Sequence, residues 1–258
     1  MSQTYLFPAN GIHQSAYDPI FNNIGSVSAV TYPPLQTPPP SIPKHLTWQY
    51  FHDELQPHIK GTQLLGMGHS LGGALLLYDA LKHPGRWATI VIVEPALFSK
   101  KIHVMTNIVR FFNLEYQLHP MIRITKHRRT QFSDKATVFK RWRNHRSFAG
   151  MSDALLTQFI DASLIDDGDG FKLRFPKDWE MAIYASMCTL DPFIWANLHA
   201  LTSKLIVVAG ETSNTFMPGA RARLKKHATE FLTIPNTTHL LPFETPKLLS
   251  KIIENQQN

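Results

Sequence analysis

The fold can be inferred from one stretch of the sequence, Gln63-Leu64-Leu65-Gly66-Met67-Gly68-His69-Ser70-Leu71-Gly72-Gly73-Ala74-Leu75-Leu76-Leu77. Its first five residues predict a short buried strand, and its leucines begin a pattern with helical spacing that ends before Pro84-Gly85. Between the two lie Gly68, Ser70 and Gly72, which form the G-x-S-x-G pattern. In this context the pattern predicts a sharp turn from strand to helix that exposes the serine as a nucleophile.

The chemistry of such a turn explains its residue types. A serine that projects alone from a strand-to-helix corner needs a strained backbone, and the flanking positions have no room for side chains. The helix that follows presents free N–H groups and its positive dipole end at the place where an oxyanion would form. The stretch is therefore suited to attack on a carbonyl carbon.

The run Gly-His-Ser-Leu-Gly-Gly at 68–73 resembles the nucleophile turn of the α/β-hydrolase superfamily, in particular that of its capped serine hydrolases. By this resemblance the chain is similar to esterases and C–C bond hydrolases. The resemblance covers nearly the whole chain. It implies an α/β fold with a mostly parallel sheet of about six strands flanked by helices, and a helical cap insertion. We expect the hydrolase core at 1–96 and 203–258 and the cap at 97–202.

Strand candidates for this sheet are short apolar segments, several of them rich in β-branched residues, which is typical of strands buried on both faces. They lie at 4–9, 27–32, 63–67, 87–93, 204–211 and 231–234. The segment 97–202 lacks the alternation of strand and helix and predicts helices near 101–116, 133–142, 152–164 and 177–187. We expect its aromatic and aliphatic side chains, including Phe111 and Phe112, to pack mostly within the cap.

Length and composition fit one α/β domain with an insertion. No apolar run approaches membrane-spanning length and the N-terminus does not read as a signal peptide, so we expect cytoplasmic residence and no membrane insertion. The single cysteine, Cys188, rules out an intrachain disulfide. Because the thirteen histidines include no pair at the helical spacing of a metal site, we expect no metal, and the chemistry implies no cofactor.

The net charge of +7 is concentrated in one segment. Nine Lys or Arg residues lie between Arg123 and Arg146 against one acid, Asp134, so this segment carries +8 and the rest of the chain −1. Three interpretations stay open: a solvated helix face, attraction of anionic substrates, or contact with nucleic acid. We expect no nucleic-acid partner because no groove-reading element is evident, and the oligomeric state stays undetermined.

A serine nucleophile needs a base and a group that orients the base. His239 follows the final predicted strand, where the superfamily keeps its catalytic histidine. Glu94 ends the strand at 87–93 and precedes Pro95, which favours an extended backbone for Glu94 at the edge where open α/β sheets bind ligands. Glu211 is the alternative acid, and a dyad without an acid or a triad with another carboxylate also stays open.

The resemblance also implies an oxyanion hole. Its donors would be the backbone N–H groups of Ile12, in the loop after the first strand, and of Leu71, after the serine. Asn10 replaces the histidine that is usual in this loop. Ser213 stands where the superfamily often has its aspartate.

The leading hypothesis is a serine hydrolase that cleaves a carboxylic ester or thioester of a small-molecule substrate through an acyl-enzyme on Ser70, with His239 as general base. One alternative is a C–C bond hydrolase of a vinylogous diketone acid, for which the basic segment would suit the substrate's carboxylates. The other is a binding homologue that has lost catalysis.

Overall fold

The structure is a computed structural model that describes residues 4–22, 24, 39–43 and 46–257. Within these ranges the central sheet has five parallel strands in the order β1-β2-β3-β7-β8. Their bounds are Thr4–Phe7 (β1), Leu64–His69 (β2), Trp87–Val93 (β3), Lys204–Gly210 (β7) and Glu230–Ile234 (β8). The strand predicted at 27–32 and most of the proline-rich stretch after it lie outside the described residues.

Both faces of the sheet are buried because its strands are apolar at nearly every position. Leu205 and Val207 of β7 pack into one hydrophobic cluster, while Ile206 and Val208 pack into the cluster on the opposite face. The period of two along a strand divides the side chains in this way. The predicted α/β fold with a parallel sheet is thus confirmed.

The helices follow the strands along most of the chain. Among the described residues, those outside the segment between β3 and β7 are α1 (Asp18–Phe21), α2 (Trp48–Leu55), α3 (Leu71–Lys82), α11 (Pro218–Lys225), α12 (Leu241–Glu244) and α13 (Pro246–Glu254). Helix α3 packs on β1, β2 and β3, whereas α13 packs on α1. Among the described residues, no helix is long and apolar enough to cross a membrane.

The segment between β3 and β7 is an insertion between two strands that pair directly with each other. Its helices are α4 (Lys100–Phe111), α5 (Glu115–Leu118), α6 (Pro120–Lys126), α7 (Lys135–Arg143), α8 (Asp153–Ser163), α9 (Lys177–Ala185) and α10 (Asp191–Asn197). It also holds a small antiparallel sheet of three strands, β4 (Gln131–Phe132), β5 (Leu164–Asp166) and β6 (Phe171–Leu173). The sequence did not predict this sheet or the helices α6 and α10.

The expectation that Phe111 and Phe112 pack within the cap is wrong. Their exposed fractions are 79% and 62%, and their rings contact each other at the end of α4. By contrast, Trp179 of α9 is 1% exposed and packs edge-on against Phe51 of α2. An amphipathic pattern predicts an apolar face but does not reveal what covers it.

Candidate active site

The register of the sheet brings two functional side chains to one edge. His69, the last residue of β2, pairs with Val93, the last residue of β3. Because the strands are parallel, the next residue of each, Ser70 and Glu94, leaves the sheet at the same level. Both have a positive φ, 54° for Ser70 and 49° for Glu94, which is uncommon for residues other than glycine. The extended backbone expected for Glu94 before Pro95 is therefore wrong, and the Glu94 N–H donates instead to the Val208 oxygen of β7 at 2.9 Å.

The strained backbone of Ser70 is held by the elements on either side of it. Its N–H donates to the Val93 oxygen at 3.0 Å, and its own oxygen accepts from Ala96 at 2.9 Å. The flanking glycines are needed for space: a Cβ on Gly72 would lie 1.9 Å from the Phe7 oxygen, and one on Gly68 would lie 2.5 Å from the Gly72 oxygen. The steric reason predicted for these glycines is therefore correct.

His239 lies between Ser70 and Glu94. Its Nε2 is 3.1 Å from Ser70 Oγ, and its Nδ1 is 3.2 Å from Glu94 Oε2. The side chain of His239 is 24% exposed, whereas that of Glu94 is fully buried. The three groups form a continuous line from a buried carboxylate to a serine hydroxyl, which is the arrangement that lets a histidine accept the serine proton.

Four groups from the β7 side surround the Glu94 carboxylate. The Gly210 N–H donates to Oε1 at 2.7 Å and Arg221 donates to the same oxygen at 3.3 Å, while the Ser213 hydroxyl and His239 contact Oε2. Arg221 is itself anchored, since it also donates to the Gly210 oxygen at 2.7 Å. A buried carboxylate is tolerated only with this kind of compensation.

Glu211, the alternative acid, is exposed and turned to the next loop. Its Oε2 accepts the backbone N–H of Asn236 at 3.0 Å. None of the hydrogen bonds of the described residues joins Glu211 to His239, so the geometry favours Glu94 as the partner of the histidine.

The two predicted oxyanion donors differ in their surroundings. Leu71 is the first residue of α3, where a backbone N–H has no acceptor within the helix. The Ile12 N–H donates to the Ala9 oxygen in a turn, with a long N···O distance of 3.3 Å. The neighbouring Asn10 donates to the Glu180 oxygen at 3.2 Å, which ties this loop to α9 of the insertion.

His69 supports the site from inside the turn. Its Nε2 lies 2.9 Å from the His239 oxygen and its Nδ1 lies 2.8 Å from the Tyr17 hydroxyl, which also accepts the Ala9 N–H at 3.0 Å. Complete burial and the nearby His239 lower the pKa of His69 well below its ordinary value, so the ring is neutral. Since a carbonyl only accepts, the proton is on Nε2, and Tyr17 donates to Nδ1.

A second cluster, on α2 and α3, has the side chains that could hold a metal ion. His52 Nε2 and His83 Nδ1 lie 3.0 and 3.1 Å from Asp79 Oδ1. However, the Arg86 guanidinium lies 2.9 Å from the same oxygen and Trp87 donates to Oδ2 at 2.7 Å. These donors already satisfy the carboxylate, and the guanidinium charge opposes a cation, so we interpret the cluster as a hydrogen-bond network.

Sequence reasoning missed the residues that hold the acid. Ser213 had a signal, because it stands where the superfamily often has an aspartate, and its hydroxyl now binds Glu94. Arg221 had none, since a helical arginine eleven residues after Gly210 looks like any surface cation. Sequence reasoning gave Tyr17 and His69 no role of their own in the site.

A parallel sheet with a glycine-flanked serine between strand and helix, followed by an insertion, defines an α/β-hydrolase fold. Residues 25–252 match the model of the alpha/beta hydrolase family, and the chain belongs to that family.

Individual relatives are distant. The chain is 22% identical over 210 residues to the peroxisomal membrane protein LPX1 of Saccharomyces cerevisiae, which covers 73% of this chain and 51% of that protein. The chain thus spans about half the length of this curated relative. The crystal structure of the yeast protein has a TM-score of 0.75 at 15% identity and covers 99% of this chain and 75% of that one.

Two other solved structures have the same fold. E-2-(acetamidomethylene)succinate hydrolase has a TM-score of 0.75 at 15% identity, with 99% of this chain and 91% of that chain covered. The thioesterase domain from the curacin biosynthetic pathway has a TM-score of 0.71 at 15% identity, with 98% and 91% covered. At these identities the likeness establishes the fold.

Proposed function

We propose that the protein is a serine hydrolase that cleaves a carboxylic ester or thioester through an acyl-enzyme on Ser70. The observation that carries the proposal is the line of contacts from Ser70 Oγ to His239 Nε2 at 3.1 Å, and from His239 Nδ1 to Glu94 Oε2 at 3.2 Å. The membership in a hydrolase family supports it.

In the proposed reaction, His239 Nε2 takes the hydroxyl proton while Ser70 Oγ attacks the carbonyl carbon of the substrate. The negative charge that develops on the carbonyl oxygen is held by the Leu71 and Ile12 N–H groups. Collapse of this intermediate breaks the bond to the alcohol or thiol, which leaves with the proton from His239. Water then gives a proton to His239, attacks the acyl carbon and displaces Ser70, which takes that proton back.

Glu94 is the proposed acid of the triad. Its carboxylate holds the Nδ1–H of His239, so that Nε2 faces the serine, and it stabilises the imidazolium that forms during the reaction. For Ile12 to act as an oxyanion donor, substrate binding must exchange its 3.3 Å contact with the Ala9 oxygen for a contact with the substrate.

Labelling with a fluorophosphonate probe tests the nucleophile directly. We expect a single adduct, located on Ser70 by mass spectrometry, that is absent in Ser70→Ala and forms at least about 100-fold more slowly in His239→Gln. Thermal unfolding of each variant provides the control for folding. If the folded wild-type protein gives no adduct, the proposal is wrong and the binding homologue becomes the better interpretation.

A substrate screen then separates the remaining reactions. Esters and thioesters of one acyl group should be hydrolysed in a way that depends on Ser70. A dienoate substrate with a vinylogous diketone should react more slowly, and a clear rate advantage for it would replace our proposal with C–C bond hydrolysis.

We keep two further sequence-based predictions as proposals. One is the division into a core at 1–96 and 203–258 and a cap at 97–202. Hydrogen exchange tests it, and we expect the inserted helices to exchange together as a unit that is separate from the sheet. The other is cytoplasmic residence, which imaging of the full chain beside a peroxisomal marker tests.

A further inference from the structure

The outer helices of the insertion expose an unusual amount of apolar surface. Among the described residues, twelve large hydrophobic side chains are exposed, and ten of them lie between positions 104 and 124. We call these ten the α4–α6 surface: Val104, Met105, Ile108, Phe111, Phe112, Leu114, Tyr116, Leu118, Met121 and Ile124. So many exposed apolar side chains on three neighbouring helices are rare on a monomer, which indicates a binding surface.

Helix α4 is bonded to the protein through polar side chains, and it exposes Val104, Met105 and Ile108 to solvent, while Ile102 and Val109 are half-buried. None of its residues is buried. On the inner side, His103 Nδ1 lies 3.0 Å from the Cys188 oxygen, and Arg110 donates to the Ala185 and Met187 oxygens at 3.2 and 2.9 Å. This orientation is the reverse of a helix that packs on a core.

The apolar side of α4 forms a shallow groove. Four apolar side chains at helical spacing line the groove together with two polar ones: Val104, Ile108, Phe111, Phe112, His103 and Asn107. Helix α5 contacts α4 and α6, so the apolar side chains of the three helices lie on neighbouring elements. The hydrogen bonds of His103 and Arg110 to backbone oxygens between 185 and 188 hold α4 in this orientation.

The charge around the α4–α6 surface is strongly positive. Between 100 and 129 there are seven Lys or Arg residues and one acid, Glu115, which gives +6. Within the described part of the chain, Lys100, Lys101, Arg123 and Lys126 are exposed and form no ion pair with an acid. A second copy of the chain would bring the same charge to the same place, which disfavours self-association through this face.

We propose that the α4–α6 surface docks the protein on a membrane that contains anionic lipids. Phenylalanine, leucine and isoleucine would enter the boundary between headgroups and acyl chains, and the surrounding lysines and arginines would bind the negatively charged headgroups. This is attachment to one leaflet, for which no spanning helix is needed. The proposal does not depend on the hydrolase activity.

The α4–α6 surface lies on the insertion between β3 and β7, and this insertion also contacts the candidate active site. Helix α6 packs on α9, and Glu180 of α9 contacts the loop at Gly11, where a Cβ would lie 2.9 Å from the Glu180 carboxyl carbon. Docking would therefore place the loop that precedes Ile12 one helix layer from the lipid.

Vesicle flotation with the full chain tests the proposal. We expect binding to phosphatidylcholine vesicles that contain about one third phosphatidylserine, at least about tenfold weaker binding to pure phosphatidylcholine, and weakening of the anionic binding by salt. The double variant Phe111→Ser/Phe112→Ser should lose at least about tenfold in binding. Met217→Ser, which alters an exposed apolar residue outside the surface, is the matched control and should bind like wild type.

The charge contribution has its own pair of variants. Lys100→Gln/Lys101→Gln should weaken binding to the anionic vesicles by about tenfold or more, because each cation near such a membrane contributes about fivefold. Lys226→Gln/Lys251→Gln removes two exposed charges elsewhere and should have a much smaller effect. All of these side chains are exposed, so we expect unchanged thermal unfolding.

Three outcomes would overturn the proposal. The first is no binding to either kind of vesicle. The second is equal binding to both kinds, which would remove the role of anionic lipid. The third is a dimer in analytical ultracentrifugation that Phe111→Ser abolishes, without vesicle binding, which would assign the α4–α6 surface to a second copy of the chain.

Discussion

The ring of His69 donates its Nε2–H to the backbone oxygen of His239 at 2.9 Å, so the histidine inside the serine turn fixes the loop of the second histidine. Tyr17 extends this link, because its hydroxyl donates to His69 Nδ1 and accepts from the Ala9 N–H. The loop after β1, the serine turn and the His239 loop are thus joined by one buried chain of hydrogen bonds.

Tyr17→Phe should destabilise the protein. The substitution removes one hydroxyl and leaves two buried groups, the Ala9 N–H and His69 Nδ1, without that partner, at a cost of about 1–3 kcal/mol in the free energy of unfolding. Urea unfolding measures this cost. Tyr50→Phe is the matched control, since the Tyr50 hydroxyl is not part of this chain, and its effect should stay within about 0.5 kcal/mol. Equal effects of the two variants would contradict the structural role of Tyr17.

Glu94→Gln should lower kcat by about 1000-fold or more while the protein stays folded. Glutamine keeps the shape but offers its N–H₂ or neutral oxygen to His239 Nδ1, so the tautomer and the imidazolium are no longer stabilised. The matched control is Glu211→Gln, which alters an exposed carboxylate that binds Asn236. Steady-state kinetics on the best ester found in the screen compares the two, and a Glu94→Gln rate near wild type would remove Glu94 from the triad.

The sequence predicted the central part of this site because short-range geometry dictates it. The G-x-S-x-G spacing fixes the turn at Ser70 by close backbone contacts, and Pro95 marks the end of the strand before Glu94. By contrast, Glu94 and Glu211 both follow buried strands, and only the tertiary contacts of each carboxylate distinguish them. The geometry favours the same order of the two carboxylates, with Glu94 ahead of Glu211.

The same limit explains what the sequence could not predict. Arg221 lies in α11, after β7, and reaches Glu94 at the end of the neighbouring strand β3. No local pattern signals a contact between residues so far apart in the chain. The aromatic pair Phe111 and Phe112 was expected inside because large apolar side chains are usually buried. The spacing of apolar residues in α4 predicts an apolar face. It does not reveal that hydrogen bonds from the polar side chains of α4 to distant backbone oxygens turn this face outward.

Asp79→Asn should destabilise the protein most at neutral pH. Burial alone would raise the pKa of Asp79, but hydrogen bonds from His52, Gln56 and Trp87, with the charge of Arg86, lower it to about 2. Because the folded-state pKa lies below the ordinary 3.8, this carboxylate contributes stability above pH 3.8 that is lost as the pH falls towards 2.

Urea unfolding at pH 7 and pH 3 tests the role of Asp79. We expect Asp79→Asn to cost about 3–5 kcal/mol at pH 7, since Arg86 loses a charged partner, and less at pH 3. The control Asp53→Asn alters a neighbouring aspartate that is 63% exposed and should change stability by less than about 1 kcal/mol. A cost that does not depend on pH would show that ionisation of Asp79 is not what stabilises the network.

Asp191 should make the protein less stable as the pH rises, the opposite of Asp79. Burial raises the pKa of Asp191 to about 7, although the Phe98 N–H donates to its Oδ1 at 2.5 Å. Its other oxygen is buried and has no hydrogen-bond partner among the described residues. The folded state therefore holds the proton more tightly than the unfolded chain does, and the stability from this group, complete below pH 3.8, is lost as the pH rises through about 7.

Asp191→Asn removes this titration, so its free energy of unfolding should improve relative to wild type by about 2–3 kcal/mol between pH 5 and pH 8. Urea unfolding of both proteins across this range measures the difference. Asp178→Asn, an exposed change in α9, should track wild type at every pH. If the difference between Asp191→Asn and wild type stays constant with pH, then the Asp191 carboxyl is ionised in the folded protein, and the burial of its oxygen must be relieved by a movement of α10.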